Sequence, residues 1–157
     1  MIRLQLIAWI WIAITSSAQA FPAIGDHVEF EARYRGGKVV LEKSVKSFDP
    51  SSDRFGVRTL MRMGDTVLRD DLYLLPRSFL YTPEKIARVL STCVSREGAL
   101  GRERIQGRMV EVCEFYHEDS QLTTVLGRVP FGQIRFQEYL GDGEFLDFHL
   151  VRFDSGL

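Results

Sequence analysis

The sequence contains little cysteine, no long run of one charge sign and, after its first twenty residues, no long hydrophobic stretch. Its 157 residues include two cysteines, and 20 Lys and Arg stand against 21 Asp and Glu, for a net charge of −1. A chain without a basic excess is poorly suited to neutralising a phosphate backbone, so we expect no nucleic-acid partner. The 45% hydrophobic and 26% charged content is that of one ordinary globular domain.

The sequence also contains no GxSxG elbow, no HExxH helix and no glycine-rich phosphate loop. We therefore expect no cofactor, no bound metal and no enzymatic activity. The alternative is a hydrolase or metal enzyme that uses His117, Asp147 or His149. The segment 117–119 is more typical of a polar hairpin tip, and His149 is expected to be a buried, hydrogen-bonded core residue.

The first twenty residues have the three zones of a secretory signal peptide. Arg3 provides the positive start, residues 4–14 form a short apolar core, and Ala18 and Ala20 are small residues at the expected cleavage site. The apolar core is shorter than the roughly 20 residues that span a bilayer. We expect cleavage after Ala20, a single domain over residues 21–157 that is not integral to the membrane, and a periplasmic or secreted location.

Cys93 and Cys113 are expected to form a disulfide, because paired cysteines in an exported chain are usually oxidised. The alternative is a catalytic thiol or a metal-binding pair, but the sequence contains no CxxC motif that would support it. A bridge across a loop of about 20 residues stabilises a fold by roughly 3 kcal/mol.

Alternating apolar and polar residues predict an antiparallel meander, beginning with His27–Tyr34, where Val28, Phe30, Ala32 and Tyr34 share one face. Further strands are predicted over residues 39–48, 54–63, 66–74, 102–106, 108–117, 121–126, 133–140 and 144–153. The fold class is thus mainly β (α+β), with about nine strands. So large a sheet with one helix to cover it is expected to curve into a half-barrel around that helix.

A single helix is predicted to begin after Thr82, a natural N-cap followed by Pro83 at the first helical position. The apolar residues that follow recur at helical spacing and are Ile86, Val89, Leu90, Cys93 and Val94. Because Cys93 belongs to this stripe, the disulfide would join the helix to the sheet at Cys113.

Two stretches, Gly107-Arg108-Met109-Val110-Glu111-Val112-Cys113 and Val129-Pro130-Phe131-Gly132-Gln133-Ile134-Arg135-Phe136, resemble late strands of the lipoprotein-carrier (LolA-like) half-barrel superfamily. The resemblance implies a curved antiparallel sheet whose concave apolar face can hold acyl chains. It does not extend to the several helices of the carriers. Pro130 and Gly132 are also expected to shape a bend, with Phe131 filling the core.

These observations favour a non-enzymatic envelope protein that binds a lipid, an acyl chain, a lipoprotein or another envelope protein. The residues expected to line the concave face are Phe30, Tyr34, Phe55, Met61, Ile134, Phe136 and Phe148. The alternative is a structural or adaptor protein with a filled core. Arginines such as Arg58 and Arg62 are expected to pair across strands with acids of the chain itself, and one of Asp70 and Asp71 is expected to meet an arginine across the sheet.

Overall fold

The fold is known from a computed structural model, which describes residues 21–118, 122–141 and 143–155. Over these residues the chain forms nine antiparallel strands in one sheet and one α-helix. The predicted signal peptide, residues 1–20, lies outside the described residues. In the described part of the chain, no helix is long and apolar enough to cross a membrane.

The strands follow one another along the chain with the helix in the middle. They are β1 (His27–Tyr34), β2 (Gly37–Asp49), β3 (Arg54–Met63), β4 (Thr66–Pro76), β5 (Ala99–Ile105), β6 (Arg108–His117), β7 (Leu122–Gly127), β8 (Gln133–Gly141) and β9 (Glu144–Asp154). Between β4 and β5 lie a 3₁₀ turn, Arg77–Phe79, the helix α1 (Pro83–Ser91) and a second 3₁₀ turn, Val94–Arg96.

The sheet runs in the order β4-β3-β2-β1-β9-β8-β7-β6-β5. The first and last strands of the chain therefore pair at its centre, while β4 and β5 form its two edges. The segment that contains α1 connects one edge to the other. The mainly β class is confirmed, but the sheet is not closed, and the half-barrel stays a prediction.

One face of the sheet carries the main hydrophobic core. Val28, Phe30 and Ala32 alternate along β1 and are almost fully buried, and Phe30 pairs with Leu41 on β2 and Leu150 on β9. We call this side of the sheet the core face. The alternation predicted for the first strand is thus confirmed.

The helix begins where the sequence predicts it and ends earlier. The Thr82 hydroxyl accepts a hydrogen bond from the Lys85 backbone N–H at 3.4 Å. The helix stops at Ser91, so the prediction that Cys93 and Val94 continue the helical stripe was wrong. The chain tightens here because the Cys93 carbonyl accepts from the backbone N–H groups of Arg96 and Gly98, which leaves Val94 68% exposed.

The predicted disulfide is confirmed. Cys93 and Cys113 are bonded, with their Cα atoms 5.8 Å apart. Both sulfurs belong to a small second cluster with Ile86 and Leu90 of the helix and Leu126 of β7. The bridge therefore joins the segment after α1 to β6, next to the strands on which α1 packs.

Candidate functional site at Lys43

The residues predicted to line a concave binding face are mostly core residues. Six are buried, namely Phe30, Phe55, Met61, Ile134, Phe136 and Phe148. The seventh, Tyr34, is partly buried and donates its hydroxyl to the Glu144 carboxylate at 2.7 Å. The Phe136 ring lies 5.0 Å from that of Phe30 and 5.4 Å from that of Phe148. These side chains fill the interior, and their role as ligand contacts stays a prediction.

A lysine lies among these aromatic rings. Lys43 is on the core face of β2, where it pairs with Val28 on one side and Thr59 on the other. Its Nζ donates to Gln133 Oε1 at 2.8 Å. The ammonium also lies 4.7 Å from the centre of the Phe136 ring and 5.6 Å from that of Phe30. It is therefore held by an amide oxygen and two ring faces.

Burial lowers the pKa of Lys43 from 10.5 to about 8. Removal from water disfavours the charged form of an amine. The Glu138 carboxylate opposes this pKa shift as a smaller effect, and the Arg69 guanidinium adds to it. The ammonium is still protonated at neutral pH, in surroundings that oppose its charge.

Lys43 lines a pocket of about 200 Å³ on the core face, which we call the Lys43 pocket. Its other walls are mostly apolar and aromatic, with contributions from β3, β4, the 3₁₀ turn before the helix and the start of β8. They are Val57, Thr59, Tyr73, Leu75, Phe79, Leu80, Tyr81, Phe131 and Gln133. Apolar walls with a few polar groups are the usual composition of a small-molecule site.

The segment Val129-Pro130-Phe131-Gly132 lines this pocket through Phe131 and a neighbouring pocket through Val129 and Pro130. Phe131 and Gly132 both have left-handed φ angles, +61° and +69°, and the Phe131 side chain is buried. A Cβ on Gly132 would lie 2.6 Å from Cβ of Tyr81 and 2.7 Å from Cδ1 of Ile86. The expected bend and core-filling role are thus confirmed. Tyr81 also lines a second pocket of about 210 Å³ beside Pro130.

A hydrogen-bonded network around Arg69 lies on the same face of the sheet as Lys43, on the edge strand β4. Arg69 Nε donates to Asp71 Oδ2 at 2.7 Å, and its Nη1 donates to Glu138 Oε1 at 2.6 Å. Its Nη2 donates to the Tyr73 hydroxyl, which in turn donates to Asp71. These bonds raise the pKa of Arg69 above its ordinary value and lower that of Asp71.

Arg58 and Arg62 pair with the protein's own acids, as predicted. Arg58 makes two 2.7 Å hydrogen bonds to Asp70 across β3 and β4, and Arg62 pairs with Glu42. Asp70 and Asp71 point to opposite faces of the sheet, each towards a different arginine.

Of the candidate enzyme residues, Asp147 and His149 line one pocket, and His117 is not among its lining residues. His149 is exposed, so its expected burial was wrong, because its pairing with Glu31 and Arg135 places it on the face opposite the core. Asp147 accepts from the Gln137 amide. His117 is exposed at the end of β6, and Asp119 lies outside the described residues. Among residues with described placement, no group of three or more His, Cys, Asp or Glu could hold a metal ion.

Sequence reasoning did not identify Lys43 as a site residue, although the sequence contains a signal for it. Val39, Leu41, Lys43 and Val45 occupy alternate positions of one strand, and the three apolar residues are buried. A lysine at the same period as three core residues must lie on the buried side, or break the strand. Its partner Gln133 is 90 residues away, which no local pattern indicates.

Comparison with known proteins adds no assignment to this geometry. No protein-family model matches the chain, and no curated protein matches it significantly.

Proposed function

We propose that the chain is an exported, non-enzymatic envelope protein that binds a hydrophobic or amphiphilic ligand, such as a lipid or the acyl chain of a lipoprotein, on the concave face of a half-barrel. The observation that carries this proposal is the Lys43 pocket, where apolar walls meet the polar residues Lys43 and Gln133. Such a pocket accommodates a ligand with an apolar body and a polar end.

The half-barrel is supported by side-chain contacts between distant strands. Arg69 on β4 binds Glu138 on β8, although β3, β2, β1 and β9 lie between them in the sheet. In a flat sheet these strands would be about 24 Å apart, at about 4.8 Å per step, which is more than the two side chains span. The hydrogen bond from Lys43 on β2 to Gln133 at the start of β8 also connects non-neighbouring strands.

The proposed export is supported by the disulfide. Disulfides persist in oxidising compartments, and the Cys93–Cys113 bond is present.

The test is to fill the pocket. Leu75→Trp places an indole in the Lys43 pocket, whereas Leu74→Trp places the same group on the opposite face of the same edge strand, where Leu74 is 61% exposed. We expect Leu75→Trp to weaken uptake of a fluorescent fatty acid by roughly tenfold or more and Leu74→Trp to leave it unchanged.

Native mass spectrometry of protein purified from the envelope fraction provides a second measurement. We expect an added mass of lipid and a polypeptide mass that lacks residues 1–20. An unliganded mass together with no fatty-acid uptake by the wild type contradicts the proposal.

One observation favours the alternative, an adaptor protein. The edge strand β4 carries four exposed apolar side chains, Val67, Leu68, Leu72 and Leu74, and a sheet edge can pair with an extended partner. Cross-linking in the intact envelope that recovers one stoichiometric protein and no lipid would support this function instead.

A further inference from the structure

The ammonium of Lys43 has hydrogen-bonding and charge capacity that the described residues do not use. A lysine ammonium has three N–H donors, and Gln133 accepts one of them. Over the residues described, Lys43 takes part in no ion pair. Glu138, the acid that acts on it electrostatically, is bound by Arg69.

This arrangement is unfavourable in the empty protein. Lys43 is partly buried, and a charge withdrawn from water is normally paired and hydrogen-bonded, because desolvation otherwise opposes the charged form. The rings of Phe30 and Phe136 compensate in part. A carboxylate in the pocket would complete the ammonium's coordination and bring its negative charge to a site of low polarity, where charge-assisted hydrogen bonds are strong.

The surroundings of the pocket favour a ligand with an apolar body and a head of low charge. Val57, Leu75 and Leu80 provide apolar walls on the same cavity that Lys43 lines. Arg69 already binds two carboxylates, those of Asp71 and Glu138, so the neighbouring network has a net negative charge and offers no second cation. The balance favours a ligand head with one negative charge over a doubly charged phosphate monoester.

We propose that Lys43 binds the carboxylate of an apolar carboxylic acid, of the fatty-acid class, whose hydrocarbon part lies against Val57, Leu75 and Leu80 in the Lys43 pocket. This inference rests on the proposed function and adds the chemical class of the ligand's polar end.

The test compares ligands that share a chain and differ in the head. Isothermal titration calorimetry at pH 7 measures octanoate, 1-octanol and octyl phosphate on the wild type, on Lys43→Met and on Lys46→Met. Lys46 is an exposed lysine on the same strand and serves as the matched control. We expect Lys43→Met to bind octanoate about ten- to hundredfold more weakly and octanol with unchanged affinity. Lys46→Met is expected to match the wild type.

Each contrary outcome identifies what fails. A wild type that binds neither octanoate nor octanol contradicts the proposed function itself. A wild type that binds both, with an octanoate affinity that Lys43→Met does not change, contradicts only the role of Lys43. Loss of octanol and octanoate together assigns Lys43 to shaping the cavity and overturns its role as a head-group ligand. Tighter, Lys43-dependent binding of octyl phosphate overturns the carboxylate class.

The pH dependence separates the charge of Lys43 from its shape. Octanoate stays ionised from pH 7 to 10, while Lys43, with a pKa of about 8, loses its proton in that interval. The other charged or titratable side chains around the pocket are Arg69, Asp71, Tyr73, Tyr81 and Glu138. We expect octanoate binding to the wild type to weaken as the pH rises, and octanol binding to stay constant. An octanoate affinity that is constant over this range in the wild type contradicts the proposal.

Discussion

At Lys43, burial destabilises the charged side chain, while contacts with neighbouring groups stabilise it. Burial lowers its pKa to about 8, and a shift of one pKa unit corresponds to about 1.4 kcal/mol. Two nearby rings and one amide oxygen stabilise the ammonium, at about 0.5–2 kcal/mol for each cation–π contact. Residues that lower stability in this way are typical of binding sites, where function and stability compete.

We predict that Lys43→Met stabilises the empty protein at pH 7 by about 1–3 kcal/mol. Methionine fills a similar volume and has no charge to desolvate. The pKa of Lys43 is lower in the folded than in the unfolded chain, so unfolding takes up a proton between about pH 8 and 10.5. Wild-type stability therefore rises over that interval relative to the variant. Urea unfolding at pH 7 and pH 10 measures both effects.

The control for this prediction is Lys46→Met, whose lysine is exposed. We expect its stability to differ from that of the wild type by no more than about 0.5 kcal/mol at either pH. A Lys43→Met protein that is less stable than the wild type at pH 7 would show that the Gln133 and ring contacts outweigh the desolvation of the ammonium.

At the scale of elements, the disulfide fixes the link between the two sheet edges. The sulfurs pack closely on the backbone, since a Cβ on Gly98 would lie 2.7 Å from Cys113 Sγ and 2.8 Å from Cys93 Sγ. They also contact the helix residues Ile86 and Leu90 through the second cluster. The helix has nine residues, which is too short to be stable without such tertiary contacts.

We predict that the double variant Cys93→Ala/Cys113→Ala lowers the free energy of unfolding by about 3 kcal/mol, because the crosslink restricts the unfolded chain. Urea unfolding of the oxidised wild type, the reduced wild type and the variant measures this difference. The reduced wild type is the control, and we expect it to resemble the variant. A difference below about 1 kcal/mol between oxidised wild type and variant contradicts the prediction.

Local sequence patterns predicted most helices and strands, because strand alternation and helix capping depend on residues that are close together in the sequence. The first strand and the start of the helix follow from them. The end of the helix could not be predicted, because the turn after Ser91 depends on backbone hydrogen bonds to Cys93 that helical spacing does not encode. Similarly, a bulge in β9 beside Glu29 and Phe30 alters a register that simple alternation would continue.

At the scale of the whole molecule, the pairing of β1 with β9 joins the two halves of the chain into one sheet. This strand order was not predicted, since pairing between the ends of a chain leaves no local pattern. The Lys43 site depends on it, because Lys43 and Gln133 lie in different halves of the chain and meet only when β2, β1, β9 and β8 are neighbours.

The bridge between Arg69 and Glu138 tests the curvature of the sheet in solution. We predict that Arg69→Gln and Glu138→Gln are coupled by about 0.5–1 kcal/mol in a double-mutant cycle at low salt. The coupling should decrease with added salt, because both side chains are partly exposed. Urea unfolding of the wild type, the two single variants and the double variant provides the four free energies.

Arg58→Gln with Glu138→Gln forms the control cycle. Arg58 is bound to Asp70 on the opposite face of the sheet, so its substitution should add to that of Glu138 within about 0.3–0.5 kcal/mol. Coupling in the first cycle and additivity in the second require β4 and β8 to approach each other across the core face. If Arg69 and Glu138 are also additive at low salt, the two strands are too far apart for the bridge, and the Lys43 pocket would lack the curvature that brings Gln133 and Tyr73 to the same cavity.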